Sequence, residues 1–329
     1  MTQLLPRAST LAAASALAAL LTGAAHAQPS ASPGEIAARV NGKPIYTSEV
    51  AEQLALALRG REAQPEAQRV LTAQAIEQLI GRKLILEMLA QRKLAANDAE
   101  IDLEIDRIRK RLAVTGATLE EHLQATGQTI AALRQTLLWQ LSWQRYLDRY
   151  LNEDNLKRFY EDRRREFDGS EVRVAHILWK VADPDDEEAV AQSQQQAAAV
   201  RAAIVGGEIS FDAAAAQHSQ SPTAASGGKL GFITRHDAMP EPFAKAAFAL
   251  AEGGVSPPVV TPFGVHVIQC LEIRAGQRPW HDTRELVRQE AMRFLFDWIV
   301  SKERPAARVE YTDALPHFEP GTRRLTPAQ

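Results

Sequence analysis

Two histidines are the first residues in this 329-residue chain that could do chemistry. His176 lies in Val174-Ala175-His176-Ile177-Leu178, and His266 in Phe263-Gly264-Val265-His266-Val267-Ile268. Between them come Gly227-Gly228-Lys229-Leu230-Gly231-Phe232 and then Met239, Pro240, Pro242 and Phe243. Imidazole changes charge near neutral pH, so such a pair suits proton transfer, metal binding or a hydrogen-bonded core position. With His218 the pair suggests zinc, yet no two of the three stand at a metal-ligand spacing. Ser219 and Ser221 lack the strand–turn–helix context of a nucleophile elbow, and no glycine-rich phosphate loop follows a strand. Taken alone, the histidines read as satisfied core residues on adjacent strands, and Leu230, Met239 and Phe243 as plain core.

The elements that must position these residues change character along the chain. Ala38-Arg39-Val40, Asn41-Gly42 and Ile45-Tyr46 predict a short strand and turn. Helices follow: Ile76, Leu79, Ile80, Leu84 and Met88 repeat at the helical period. Asn97 with Glu100, and Thr118 with Glu121, are capping-box starts, and Gly127 is a stop. A helix is predicted from Glu153 to Phe167. Beyond Gly169-Ser170 strands and helices alternate. Glu171–Val181 is β-rich, Asp185–Val205 an alanine-rich helix, and Ser210 caps a second helix. Leu230–Ile233 is a strand, Glu241–Leu250 a helix, and Val259–Ile273 a strand pair turned at Phe263-Gly264. The final helix carries Val287, Ala291, Phe294, Leu295, Trp298 and Ile299 on one face, which is too apolar to stand alone in water. It is expected to fold back onto the N-terminal helices, with Arg308–Tyr311 adding a strand. The boundaries expected are 1–27, 28–169, 170–276 and 277–329.

His176-Ile177-Leu178, Gly227-Gly228-x-Leu230-Gly231, Met239, Phe243 and Thr261-x-Phe263-Gly264-x-His266-x-Ile268, in that order and spacing, closely resemble the parvulin (PpiC-type) peptidyl-prolyl cis/trans isomerases. The resemblance covers the whole of 170–276. It implies an α+β fold, a four-stranded antiparallel sheet with four surrounding helices. It makes His176 and His266 the paired histidines at the centre of the site. Ser221 and Thr261 become its polar edge beside the twisting amide, and Leu230, Met239 and Phe243 the apolar pocket for the proline ring. The chain departs from the family pattern in three places. Ser221 stands where cysteine or aspartate is common, Lys229 where an acidic residue is usual, and Pro240 follows Met239 where a polar residue is often found.

The chemistry such a site would perform is rotation about an X-Pro amide, against a barrier of roughly 18–20 kcal/mol. A twisted amide has less charge separation than a planar one, so an apolar cavity with fixed dipoles favours the twisted state. A gain of about 4 kcal/mol is about a thousandfold in rate. No metal, nucleotide or covalent intermediate is required, and no cofactor is expected.

Arg39-Val40-Asn41-Gly42-Lys43-Pro44-Ile45, with Glu49 in the next helix, resembles the N-terminal chaperone region of SurA- and PrsA-like exported foldases. The resemblance implies a mostly helical module that holds unfolded chains, built from N- and C-terminal segments. Trp139, Trp143, Tyr146 and Tyr150 would add aromatic surface to it, or simply core. Ahead of the module, Arg7, the apolar run Leu11–Leu21 and Ala25-His26-Ala27 form a secretory signal with a cut expected before Gln28. The run is short for a membrane span, and no cysteine at the cut offers lipid attachment. The expected location is therefore the periplasm, without stable membrane insertion once the signal is removed. The single cysteine, Cys270, excludes an internal disulfide and reads as buried. A net charge of −3 gives no reason to expect nucleic acid as a partner. The partners expected are unfolded or partly folded exported polypeptides with X-Pro bonds. Two function classes follow: an isomerase whose helices deliver clients, or an ATP-independent holdase whose parvulin domain only binds peptide.

Overall fold

The structure, a computed structural model, describes residues 34–182, 186–236, 239–322 and 324–327. The signal segment predicted over residues 1–27 lies outside the described residues. Among those described, no helix is long and apolar enough to cross a membrane. The chain forms two compact units, one ending at Gln144 and resuming over Glu303–His317, the other covering Arg145–Lys302 and resuming at Phe318.

The first unit starts with a hairpin, β1 (Ile36–Val40) and β2 (Lys43–Tyr46), pairing Val40 with Lys43. The two turn residues, Asn41 and Gly42, have φ of 50° and 80°, the left-handed pair that a two-residue hairpin needs and that Asn-Gly supplies. A strand from the far end of the sequence, β7 (Val309–Tyr311), pairs with the other edge of β1, so the sheet order is β2-β1-β7. The helices of this unit are α1 (Thr47–Leu58), α2 (Pro65–Gln91), α3 (Asp98–Val114), α4 (Leu119–Thr126) and the start of α5 (Ile130–Tyr150). Both capping boxes form, Asn97 with Glu100 and Thr118 with Glu121. The apolar stripes of α3, α4 and α5 close around Ile101, Ile105, Leu119, Leu123 and Leu137. The C-terminal return is tied to α2 by Arg304, whose guanidinium lies 2.8 Å from Glu77. Trp139 and Trp143 stack with centroids 5.4 Å apart. Trp143 is buried in the folded chain.

In the second unit the helix expected over Glu153–Phe167 is broken into α6 (Glu153–Asp162) and α7 (Arg164–Phe167). Arg163 leaves the helical region at φ −129°. Its guanidinium lies 4.2 Å from the ring centre of Phe159 and 5.0 Å from that of Phe294. Phe294 belongs to α11 (Trp280–Glu303), whose aromatic residues meet α6. Tyr160 packs edge-on to Trp280 at 5.7 Å, and its hydroxyl donates to the Arg278 carbonyl at 3.0 Å.

Between these helices in the sequence come the strands of the sheet that carries both histidines. Its strands are β3 (Glu171–Trp179), β4 (Lys229–Ile233), β5 (Val259–Thr261) and β6 (Gly264–Arg274), all antiparallel in the order β4-β3-β6-β5. Around it are α8 (Glu187–Val205), α9 (Phe211–His218), α10 (Glu241–Ala249) and a 3-10 turn at Ala224–Ser226. Asp186 and Ser210 cap α8 and α9 through the amides of Ala189 and Ala213. Strand alternation separates two cores. Ala175, Ile177, Trp179, Val265 and Val267 pack on Ala197, Phe211, Ala214 and Ala215 of α8 and α9. Val172, Val174, Ile268 and Cys270 face Phe243, Ala247 and Phe248 of α10. Cys270 is fully buried, and burial pushes its thiol pKa up, so it stays protonated core.

Candidate active site

His176 and His266 come from the two central strands. In the β3/β6 ladder Leu178 is opposite His266 and His176 opposite Ile268, which makes the histidines diagonal neighbours on the α10 side. Their rings stack with centroids 5.2 Å apart, and the two Nδ1 atoms are 3.1 Å apart. The chain of contacts continues at both ends. His176 Nε2 lies 2.9 Å from Ser221 Oγ, and His266 Nε2 lies 2.9 Å from Thr261 Oγ1. All four side chains are buried. An Nδ1···Nδ1 hydrogen bond needs one neutral imidazole to donate and the other to accept. Burial favours the neutral form: it lowers the pKa of His176, and burial together with the His176 neighbour lowers that of His266 to about 4.

Phe243 supports the pair from α10, its ring edge-on to His176 at 5.9 Å and to His266 at 5.3 Å. It is also 2% exposed and part of the core on that side, so it is structural as well as site-lining. Leu230 on β4 and Met239 just before α10 are only partly buried and pack against the same cluster. The sequence therefore named three apolar residues that the fold does bring together, one inside the core and two at its rim.

Glycine is required where the backbone crowds the histidines. Gly228 has φ +74°, and a Cβ there would sit 2.1 Å from the His176 carbonyl oxygen. The Gly228 carbonyl accepts the His176 amide at 2.9 Å. A Cβ on Gly264, at φ +124°, would sit equally close to the Trp179 carbonyl oxygen. These contacts fix the backbone of both histidine strands.

Of the three departures from the family pattern, only Ser221 touches the histidines. Lys229 is exposed and pairs with Asp212 at 2.9 Å. Pro240 is the N-cap of α10, where its fixed φ suits a helix start. Sequence reasoning weighed Ser219 only as a nucleophile and missed Thr223. Ser219 Oγ accepts the amides of Leu178 at 3.1 Å and Ser221 at 3.2 Å. Thr223 Oγ1 is 3.0 Å from Ser221 Oγ. The signal was the alternation of hydroxyls at 219, 221 and 223. His218 ends α9 and has no place in the chain of contacts. Among the described residues no group of three His, Cys, Asp or Glu side chains is placed to hold a metal ion.

A four-stranded antiparallel sheet with a buried histidine pair, hydroxyls at either end and an apolar rim defines a parvulin-type domain. Residues 176–272 match the family of PPIC-type PPIase (rotamase) domains. Residues 8–147 match the SurA-like N-terminal domain. The chain thus joins a SurA-like N-terminal domain to a PPIC-type isomerase domain. It is 28% identical over 251 residues to the Chaperone SurA of Aromatoleum aromaticum, covering 73% of this chain and 56% of that protein. It is 27% identical over 278 residues to the Chaperone SurA of Xanthomonas axonopodis, covering 82% and 59%. The chain spans a little over half the length of these relatives. Among solved structures, the peptidylprolyl isomerase PrsA of Bacillus anthracis is 20% identical at a TM-score of 0.34, covering 70% of this chain and 96% of that one.

Proposed function

We propose that the protein is a peptidyl-prolyl cis/trans isomerase and a folding chaperone for unfolded polypeptides exported to the periplasm. The observation that carries the isomerase reading is the buried, uncharged chain Ser221–His176–His266–Thr261 beside Leu230, Met239 and Phe243. A proline ring seated against Leu230 and Met239 would bring its amide over the imidazole edge. There it would meet oriented dipoles but no fixed ion. A planar amide is the more charge-separated form, so this setting raises the ground state relative to the twisted one. His176 and His266 hold the geometry and supply the dipoles; Ser221 and Thr261 keep the rings in place.

The chaperone reading rests on the SurA-like match over residues 8–147 and on relatives named for that activity. The alternative is a holdase whose isomerase domain binds peptide without turning it over. Ser221 in place of cysteine or aspartate favours it only weakly, since the hydroxyl keeps the contact with His176.

The test is an X-Pro peptide isomerisation assay on the whole chain with Met239→Ala. Met239 is partly buried, so trimming it should cost about 1 kcal/mol of stability. Turnover should nevertheless fall about tenfold, equivalent to about 1.4 kcal/mol of transition-state stabilisation. Full turnover in the variant places the proline elsewhere. No turnover in the parent chain, with aggregation of a denatured client still suppressed in a light-scattering assay, selects the holdase.

A further inference from the structure

We propose that Glu166 is a positioning residue of the isomerase site, acting through Arg235 to set where helix α10 places the proline pocket. The proposal rests on the isomerase reading for its effect on turnover, and the contacts that carry it lie outside the histidine chain. Glu166 belongs to α7 (Arg164–Phe167), which stands ahead of residues 176–272, the span of the isomerase match.

Arg235 lies just beyond β4 and is 6% exposed. Its guanidinium takes two carboxylates at once. Nη1 and Nη2 donate to Glu241 at 2.7 and 2.6 Å, a bidentate fork, and Nε donates to Glu166 at 3.1 Å. Glu241 is the first residue of α10, two residues after Met239 and two before Phe243. The fork therefore grips the helix between two pocket residues. The hydrogen bonds from Arg235 hold the Glu241 carboxyl below its usual pKa, so the fork stays charged at neutral pH.

The fork alone would let Arg235 move with the helix; the second carboxylate, on a different element, anchors it. Other contacts of α7 reinforce that anchor. His236 Nε2 donates to the Glu166 carbonyl at 3.1 Å, and the His236 ring lies 6.2 Å from that of Phe167, which is 2% exposed. At the far end of α10, Arg165 Nη1 donates at 2.6 Å to the carbonyl of Leu250, the C-cap residue. One short element thus holds a nine-residue helix at both ends. With both ends held the helix cannot swing, and Phe243 is kept edge-on to both histidines.

Removing the Glu166 carboxylate releases Arg235 from α7 and leaves the fork to Glu241 in place. The helix keeps its start and loses the reference that aligns it with the histidine strands. The rim holds a proline ring in the planar and twisted states alike, so a displaced rim raises KM more than it lowers kcat. A brace that served stability alone would lower the folded fraction and leave KM unchanged.

The experiment compares the full chain with Glu166→Ala and Glu166→Gln, at a temperature where circular dichroism shows each fully folded. One readout is the methyl NMR signal of Met239, assigned by its loss in Met239→Leu. The other is the kinetics of isomerisation of an X-Pro peptide. In Glu166→Ala the Met239 signal should shift while that of Met88, on α2, stays. There kcat/KM should fall about tenfold, mostly through KM. Glu166→Gln keeps an acceptor oxygen at the same reach, so it should hold the parent signal and stay within about threefold of the parent kcat/KM. An unmoved Met239 signal in the alanine variant overturns the inference. So does an unchanged KM in a variant whose parent turns over, or a glutamine variant as impaired as alanine. If Glu166→Ala does not fold, Arg165→Ala carries the same expectation from the other end of α10, and collapse of both makes α7 a structural brace and overturns it. A parent chain without turnover, whose Met239 signal still moves in Glu166→Ala, supports the placement and counts against the isomerase reading instead.

Discussion

The two faces of the β4-β3-β6-β5 sheet bury the same strands in opposite ways. On the α8/α9 side, Ala175, Ile177 and Trp179 of β3 and Val265 and Val267 of β6 meet alanine and phenylalanine. On the α10 side, even-numbered residues of the same strands include two histidines, and hydroxyls from the Ser221 loop and from the end of β5 complete their bonding. One face is held by packing, which tolerates no gap. The other is a polar network that is favourable only while every member has its partner. The difference teaches where the domain gets its stability and where it can do chemistry.

The largest effect should come from the apolar face. Phe211 opens α9 and is 4% exposed in that core. Phe211→Ala should cost about 3–5 kcal/mol, since neither sheet nor helix can collapse into the space. Urea unfolding followed by circular dichroism measures this. A cost below about 1 kcal/mol would mean the α8/α9 side is not the stabilising face. Because whole domains are stable by only about 5–15 kcal/mol, turnover should fall with the folded fraction and not through the site.

The polar face should respond to pH where the apolar one does not. His266 binds its proton with a pKa of about 4 in the folded protein against 6.5 for the free side chain. Between those values the unfolded chain holds more protons, so stability rises with pH. It is fully present above pH 6.5 and is lost as pH falls toward 4. The His266 share is about 3 kcal/mol at one pKa unit per 1.36 kcal/mol, and His176 shifts in the same direction. The urea midpoint should therefore drop between pH 7 and pH 4.5. A chain with both histidines changed to glutamine should show a shallower drop, and an identical slope in that chain would mean the pair is not what titrates.

How much of this was legible in the sequence follows the same division. Alternation along β3 and β6 gave the strands and put His176 and His266 within them, because a period of two needs only local residues. The Asn41-Gly42 hairpin and both capping boxes are local for the same reason. The break at Arg163 was not legible, since it depends on Phe294, which lies far along the chain. The diagonal meeting of the two Nδ1 atoms was not legible either. It depends on cross-strand register, which slips between Arg173 and Val174. Phe243 was read as core from the residues alone and as pocket from the resemblance, and its packing makes it core that also touches both histidines. Thr223 escaped notice because a threonine in a polar loop looks like any other until its neighbour's partner is known.

The smallest effect should come from the residue that departs most in charge from the family pattern. Lys229 stands in the glycine turn beside the site, where its position invites a catalytic role. Its ammonium instead pairs with Asp212, both side chains being more than half exposed. Exposed pairs of this kind contribute about 0–1 kcal/mol and weaken in salt. Lys229→Glu removes the attraction and sets two carboxylates against each other, so stability should fall by about 0.5–1 kcal/mol at low ionic strength. At 1 M salt, where the screening length is about 3 Å, most of that loss should vanish. Isomerisation should stay within about twofold of the parent chain, because the ammonium touches neither histidine nor either hydroxyl of the network. A tenfold change in turnover that survives high salt would show that the exposed rim and the buried chain are coupled, and the separation of the polar face into a sealed network and an indifferent edge would have to be abandoned.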